Sequence, residues 1–189
     1  MTALVRMAGS GRLADGSTLV WTVADGRRGR RWRATAVAAG GVTHAVLLEV
    51  GVEGRLSRLE VATPAGLLTL HPEAAGTTLH GNVVTPEGVR HLTLPWSPDH
   101  GLEIDGRPIA SAVTALRLAG STAVGEGRLV PVVAIGPDLA LREEERRFVR
   151  VSATAWRIES DGPERVLAID ERGIPLGLAE GREWSLELN

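Results

Sequence analysis

The chain contains no cysteine, no tyrosine and no lysine, and only one phenylalanine. Without thiols there is no disulfide and no thiolate metal centre, and the absence fits a reducing setting, so a cytoplasmic location is expected. With no Tyr and one Phe, the aromatic platforms on which single-stranded nucleic acids stack are scarce. The 21 basic residues, all Arg, nearly balance the 23 Asp and Glu, leaving a formal charge of −2. No net field draws such a chain to nucleic acid or to an anionic membrane, and no nucleic-acid partner is expected. No stretch reaches the length of a transmembrane helix, and residues 1–16 lack the continuous apolar core of a signal peptide. Common catalytic signatures are missing too: there is no nucleophile elbow, P-loop or His-Glu-x-x-His helix, and Gly9-Ser10-Gly11 lacks the third glycine of a dinucleotide fingerprint.

What the chain does have is β patterning. Turn signals recur throughout, among them Asp25-Gly26, Gly40-Gly41, Glu53-Gly54, Pro86-Glu87-Gly88, Asp105-Gly106 and Arg172-Gly173. Glycine admits positive φ at little cost, so this spacing marks repeated chain reversal. Between the turns lie period-two alternations such as Ala155-Trp156-Arg157-Ile158-Glu159 and Trp184-Ser185-Leu186-Glu187-Leu188, the mark of half-buried antiparallel strands. Residues 129–135 are apolar at every position and suit a strand covered on both faces, although Pro131 then implies an edge or a bulge. Two segments have helical features: 109–118, with Ser111 as a candidate cap, and 138–148, where Glu143 and Arg147 stand i,i+4. The second could equally be a charged hairpin tip.

At 189 residues and 43% hydrophobic content, residues 1–189 fit one domain able to bury roughly 70% of its unfolded surface. The glycine-rich start makes residues 1–16 the expected loose end. The expected fold is all-β: one large curved antiparallel sheet forming a β-roll or partly open barrel, or two packed sheets, with at most one or two short helices. An open sheet edge leaves a homodimer as an expected possibility.

Residues 90–118 break the rhythm, gathering His91, Trp96, Asp99, His100, Asp105, Arg107 and Arg117 around prolines that fix the backbone. His71, His80, His91 and His100 carry no compact metal spacing, and neither metal nor cofactor is expected. Asp99 and His100 suit either a site or a turn in which the Asp side chain caps backbone amides. Trp32, Ala34, Ala36 and Ala38 share a strand face; small residues beside an indole either leave room for an apolar guest or let another sheet approach closely.

Several of these runs resemble a known family. Arg31-Trp32-Arg33, Gly101-Leu102-Glu103-Ile104-Asp105, Ala115-Leu116-Arg117-Leu118-Ala119-Gly120, Pro137-Asp138-Leu139, Arg147-Phe148-Val149-Arg150 and Ala168-Ile169-Asp170-Glu171-Arg172-Gly173-Ile174 are similar to segments of the glycolipid-binding family of bacterial β-roll proteins. Where that family usually carries an Asn-Thr-Leu-Pro-Ile-Arg-Arg-Leu type segment, this chain has Ala112-Val113-Thr114-Ala115-Leu116-Arg117-Leu118 and keeps only the final Arg-Leu. The resemblance implies a curved sheet, similar to that of lipoprotein carriers, whose concave side holds an acyl chain or glycolipid.

The expected function is therefore binding of an amphipathic small molecule, a lipid or glycolipid, in the concave face of the sheet. Trp32 and Trp96 would supply apolar wall, Arg33, Arg107 and Arg117 would hold the head group, and His91, Asp99 and His100 would orient it at the rim. Two other readings stay open. One is an enzyme acting on a sugar or lipid head group through His and Asp, with or without a metal. The other is a non-catalytic interaction module filled by its own side chains, which a solid interior beside Trp32 and Arg107 would favour.

Overall fold

The computed structural model describes residues 6–13, 16–160, 162, 164–178 and 187–188. The first half of the chain is a meander: β1 (Arg6–Arg12), β2 (Thr18–Gly26), β3 (Gly29–Ala38), β4 (Gly41–Val50), β5 (Leu56–Thr63), β6 (Gly66–Pro72), β7 (Thr78–Thr85) and β8 (Gly88–Pro95). Each strand pairs antiparallel with the next, and β15 (Glu187–Leu188) pairs with β1 at the other edge. Period-two alternation decides which face is buried. Leu19, Trp21 and Val23 on β2, Val46, Leu48 and Val50 on β4, and Leu68 and Leu70 on β6 all point inward and are buried. Much of the segment expected to be a loose end is instead β1, held in continuous register with β2 from Arg6↔Ala24 to Arg12↔Thr18. Residues 1–5 and 14–15 lie outside the described residues.

The turns need glycine where strands crowd. Gly29 has φ +124°, and a Cβ on it would stand 2.0 Å from the Val50 carbonyl oxygen. Gly29→Ala is expected to lower stability by about 1–3 kcal/mol through backbone strain, read as a drop in the urea midpoint at an unchanged m-value.

The second half forms another sheet from β9 (Gly101–Ile104), β10 (Gly127–Ile135), β11 (Leu141–Arg150), β12 (Ala155–Glu159), β13 (Arg165–Ile169) and β14 (Pro175–Leu178), in the order β14-β13-β12-β11-β10-β9. The fold is all-β with a large antiparallel sheet and one short helix among the described residues, α1 (Ile109–Leu118). One pairing departs from antiparallel. β9 and β10 run parallel, Val132↔Gly101 to Ile135↔Ile104, because α1 carries the chain back between them as parallel strands require.

Strand β10 is covered on both faces: Val130 and Val132 join one core cluster, Val133 and Ile135 the other. Pro131 is tolerated because the β9 pairing begins only at Val132, so the missing N–H falls where one edge of β10 is open. The helix expected within residues 138–148 is absent. That segment is the β10–β11 turn and strand β11, and its charges alternate across a sheet: Arg146 and Arg165 both bind the Glu103 carboxylate, at 2.9 and 2.6 Å. The other helix forms where expected, but Pro108 rather than Ser111 is its N-cap, and Ser111 is buried inside the first turns. Small Ala112 and Ala115 let α1 lie against the second sheet. No helix among the described residues is long and apolar enough to cross a membrane.

Candidate functional site

The larger sheet buries its inner face with its own side chains. Trp32 is 1% exposed, packed 6.3 Å from Trp21, with the Arg30 guanidinium 6.0 Å from its ring. The small residues of β3 do not leave an opening: Ala34 pairs with Trp21 across the strands, and a Cβ on Gly9 of β1 would come within 2.5 Å of the Trp21 indole. Trp32 is therefore core, not ligand wall.

Open space lies at the end of the sheet. The β2–β3 turn (Asp25, Gly26, Gly29, Arg30), the β4–β5 turn (Val50 to Gly54) and the outward side of α1 (Val113, Leu116, Arg117) enclose a groove of about 690 Å³. Its walls are Val50, Val52, Val113 and Leu116, and glycines on both turns keep it wide. This volume falls inside the roughly 300–1,000 Å³ of small-molecule sites. Beneath it, bounded in part by the same Val50, Gly54, Val113 and Arg117, lies a gap of about 20 Å³ closed by Trp96 and His100. That gap has room for about one water and is too small for an apolar guest.

Four of the sequence-expected residues cluster around the gap, and of these Arg117 also lines the groove. Trp96 stacks on His100 with centroids 4.9 Å apart and planes at 30°. His100 Nδ1 accepts the Ser97 N–H at 3.0 Å and lies 2.9 Å from the Ser97 hydroxyl. Burial pushes the His100 pKa below its ordinary value. Arg117, its side chain 14% exposed, donates to the carbonyls of Pro98, Asp99 and His100 at 3.0, 2.8 and 3.3 Å. Burial lowers its pKa from a value high enough that the charge remains. The Asp99 carboxylate is 87% exposed and 3.7 Å from Arg117. The turn is capped by Ser97, whose hydroxyl accepts the Asp99 N–H, not by the Asp99 side chain.

The two cations of the groove are thus internally matched. Arg30 forms a forked pair with Asp25 and donates to the Arg172 carbonyl, while Arg117 holds the 98–100 turn. Arg117→Ala is expected to cost about 1–3 kcal/mol by releasing those carbonyls and to loosen the Trp96–His100 stack. Arg117→Lys recovers only part, since an ammonium lacks the planar fork; urea denaturation with near-UV circular dichroism measures both.

The other expected residues lie elsewhere. Arg33 and His91 sit on the outer face of the large sheet, in one cross-strand row running Thr22, Arg33, Leu47, Glu60, Thr69, Asn82, His91. Alternation sends Arg33 outward because Trp32 goes inward, and His91 hydrogen-bonds Asn82 Oδ1 at 2.6 Å. With strands about 4.8 Å apart, the two are separated by roughly 24 Å. Arg107 lies at the opposite end of β4 from the groove, beside His44. Among the described residues, no three His, Asp or Glu side chains gather as a metal site.

Sequence reasoning missed the turn residues that build the groove, since hairpin tips read as connections. It also passed over His44, although the alternation His44, Val46, Leu48, Val50 places that imidazole on the buried face.

No family model matches the chain. No curated protein matches it either. Among solved structures it is similar to a DUF1089 family protein from Pseudomonas aeruginosa, with 18% identity, a TM-score of 0.57, and coverage of 98% of this chain and 94% of that one; at that identity the likeness shows the shared fold alone.

Proposed function

We propose that this protein binds an amphipathic small molecule, lipid-like in its apolar part, in the groove between α1 and the β2–β3 and β4–β5 turns. The observation that carries the reading is the groove itself: about 690 Å³, with Val50, Val52, Val113 and Leu116 as walls and a few polar groups at its margin. That combination is what small-molecule sites share. Because Arg30 and Arg117 are already paired, the polar end of the ligand meets satisfied guanidiniums and turn carbonyls. A neutral, hydroxyl-bearing head suits these better than a strong anion, which would have to displace existing partners.

The competing reading, an interaction module with no small ligand, draws on the filled inner face around Trp21 and Trp32. Native mass spectrometry of freshly purified protein separates the two. The binding reading predicts a retained amphiphile, or a rise in melting temperature with some member of a lipid panel as mass action requires. Protein that is always empty and is stabilised by no amphiphile contradicts it.

A further inference from the structure

We infer that the open edge of the larger sheet, strand β8, is a self-association surface, on which two copies of this chain pair β8 to β8 antiparallel with His91 opposite its own copy. The two edges of that sheet differ. β1 is covered by β15, whereas β8 has a strand neighbour on one side only.

The direction of each backbone group on β8 follows from its register. β8 runs against β7 without a bulge from Thr78↔Pro95 to Thr85↔Gly88. Just past the Pro95 end the Trp96 N–H donates to the Thr77 carbonyl at 3.0 Å, and on the β6 side of β7 the Glu73 N–H donates to the Thr78 carbonyl at 2.8 Å. Hydrogen-bonded and non-hydrogen-bonded pairs alternate along an antiparallel ladder. Gly88, Arg90, Leu92 and Leu94 therefore bond β7, and Val89, His91 and Thr93 turn their N–H and C=O groups outward. Among the described residues these three have no backbone partner on that side.

Little on the strand blunts that edge. Exposed edges are commonly kept from pairing by lysine, proline within the strand or a bulge, and here the one proline is Pro95 at the end and the ladder is unbroken. Val89 is 60% exposed, and Leu92 and Leu94 are only partly buried against the core. Arg90, the one permanent charge of the strand, is exposed on the opposite face from Val89.

A second copy is the occupant because the strand complements itself. A two-fold axis at His91 sets Val89 opposite Thr93 of the partner subunit and His91 opposite His91 of the partner subunit, so every outward residue of each copy exchanges both bonds. Moving the axis one residue toward Gly88 leaves Thr93 facing Glu87 in the turn. Moving it one residue toward Pro95 sets Val89 against a proline, which has no N–H. With the axis at His91, Arg90 lies opposite Leu92 of the partner subunit, its stem over the leucine and its guanidinium in water. An interface of one strand from each copy falls at the small end of specific complexes, so the association depends on concentration.

Sedimentation equilibrium of the whole chain near neutral pH should show a monomer–dimer equilibrium. Thr93→Pro removes an outward N–H and sets a ring against the approaching strand while sparing the β7 ladder, and should weaken association at least about tenfold. Val89→Pro does the same near the other end of the strand, and cooperative urea unfolding shows that each variant is folded. Because the chain has no cysteine, single introduced thiols read the register. His91→Cys should oxidise to a disulfide dimer, since the Cα atoms of a hydrogen-bonded pair stand about 5.5 Å apart. Val89→Cys and Thr93→Cys, each about 14 Å from its own copy, should cross-link only when the two are mixed. A parent that stays monomeric at millimolar concentration, equal association of folded Thr93→Pro, or self-cross-linking of Val89→Cys as fast as that of His91→Cys would overturn the inference. No residue of β8 lines the groove, so this outcome and that of the amphiphile reading are independent.

Discussion

Trp32→Ala is expected to lower the free energy of unfolding by about 3–5 kcal/mol while leaving affinity for any groove ligand little changed. The indole is 1% exposed, and its neighbours are Trp21 on one side and, across the strands, Val23 and Leu48. Removing it leaves a cavity that a nine-stranded sheet, tied by ladder hydrogen bonds on both sides of β3, is poorly able to collapse around. Trp32→Phe keeps most of the volume and should cost less than about 1.5 kcal/mol. A wall residue would behave in the opposite way, with modest loss of stability and large loss of binding. Urea denaturation beside a binding titration distinguishes the two roles, and a Trp32→Ala protein as stable as the parent would refute the core assignment.

Acid sensitivity is the second large expectation. The His44 pKa falls from 6.5 to about 4, chiefly by desolvation and secondarily through Arg107. In the unfolded chain the imidazole returns to its ordinary value, so the unfolded state takes up a proton first as pH is lowered. For a depressed folded-state pKa the stability is fully present above pH 6.5 and is lost as pH falls toward about 4. The full shift is worth about 3 kcal/mol at most. His44→Leu removes the proton uptake, so the stability difference between parent and variant should move in favour of the variant across that window. Urea unfolding at several pH values from 7.5 to 4.5 measures it. A difference independent of pH would show that His44 is not buried as a neutral imidazole.

These two residues also show what the sequence could and could not disclose. Strand faces were readable because a period of two leaves little freedom: once Leu19, Trp21 and Val23 go inward, Thr18, Val20 and Thr22 must go outward. The same logic assigns Trp32 to the core and Arg33 to solvent, yet an Arg-Trp-Arg run suggests a ligand if chemistry is weighed before geometry. The helix at Ile109–Leu118 was legible from its run of small and apolar residues, whereas strand β11 was not. Its Glu143 and Arg147 match helical spacing, and only the long-range partner Glu103 of Arg146 shows that the charges serve a sheet.

The candidate site was half legible for a similar reason. Trp96, Asp99, His100 and Arg117 are near in sequence, and a single turn tied down by Arg117 brings them together. Of these only Arg117 lines the groove, whose other walls come from α1 and from the β2–β3 and β4–β5 turns, which meet α1 only through tertiary packing that no local pattern encodes. Likewise Arg107 and His44 are far apart in sequence, and become neighbours because the second sheet docks with the β10–β11 turn near β5, where Thr63 donates to the Pro137 carbonyl at 3.1 Å.

The claim that the groove is the binding site is tested most directly by titrating parent protein and Val113→Trp with a single-chain, sugar-headed detergent below its micelle concentration, followed by isothermal calorimetry. Val113 lies on the helix wall of the groove, partly buried and packed against the edge of the main core, so an indole there fills the groove, and urea denaturation of the variant reports whether the fold is kept. The account predicts saturable binding by the parent and loss of that binding in a variant that remains cooperatively folded. Equal binding by both proteins, or no binding by the parent to any amphiphile tried, would contradict it.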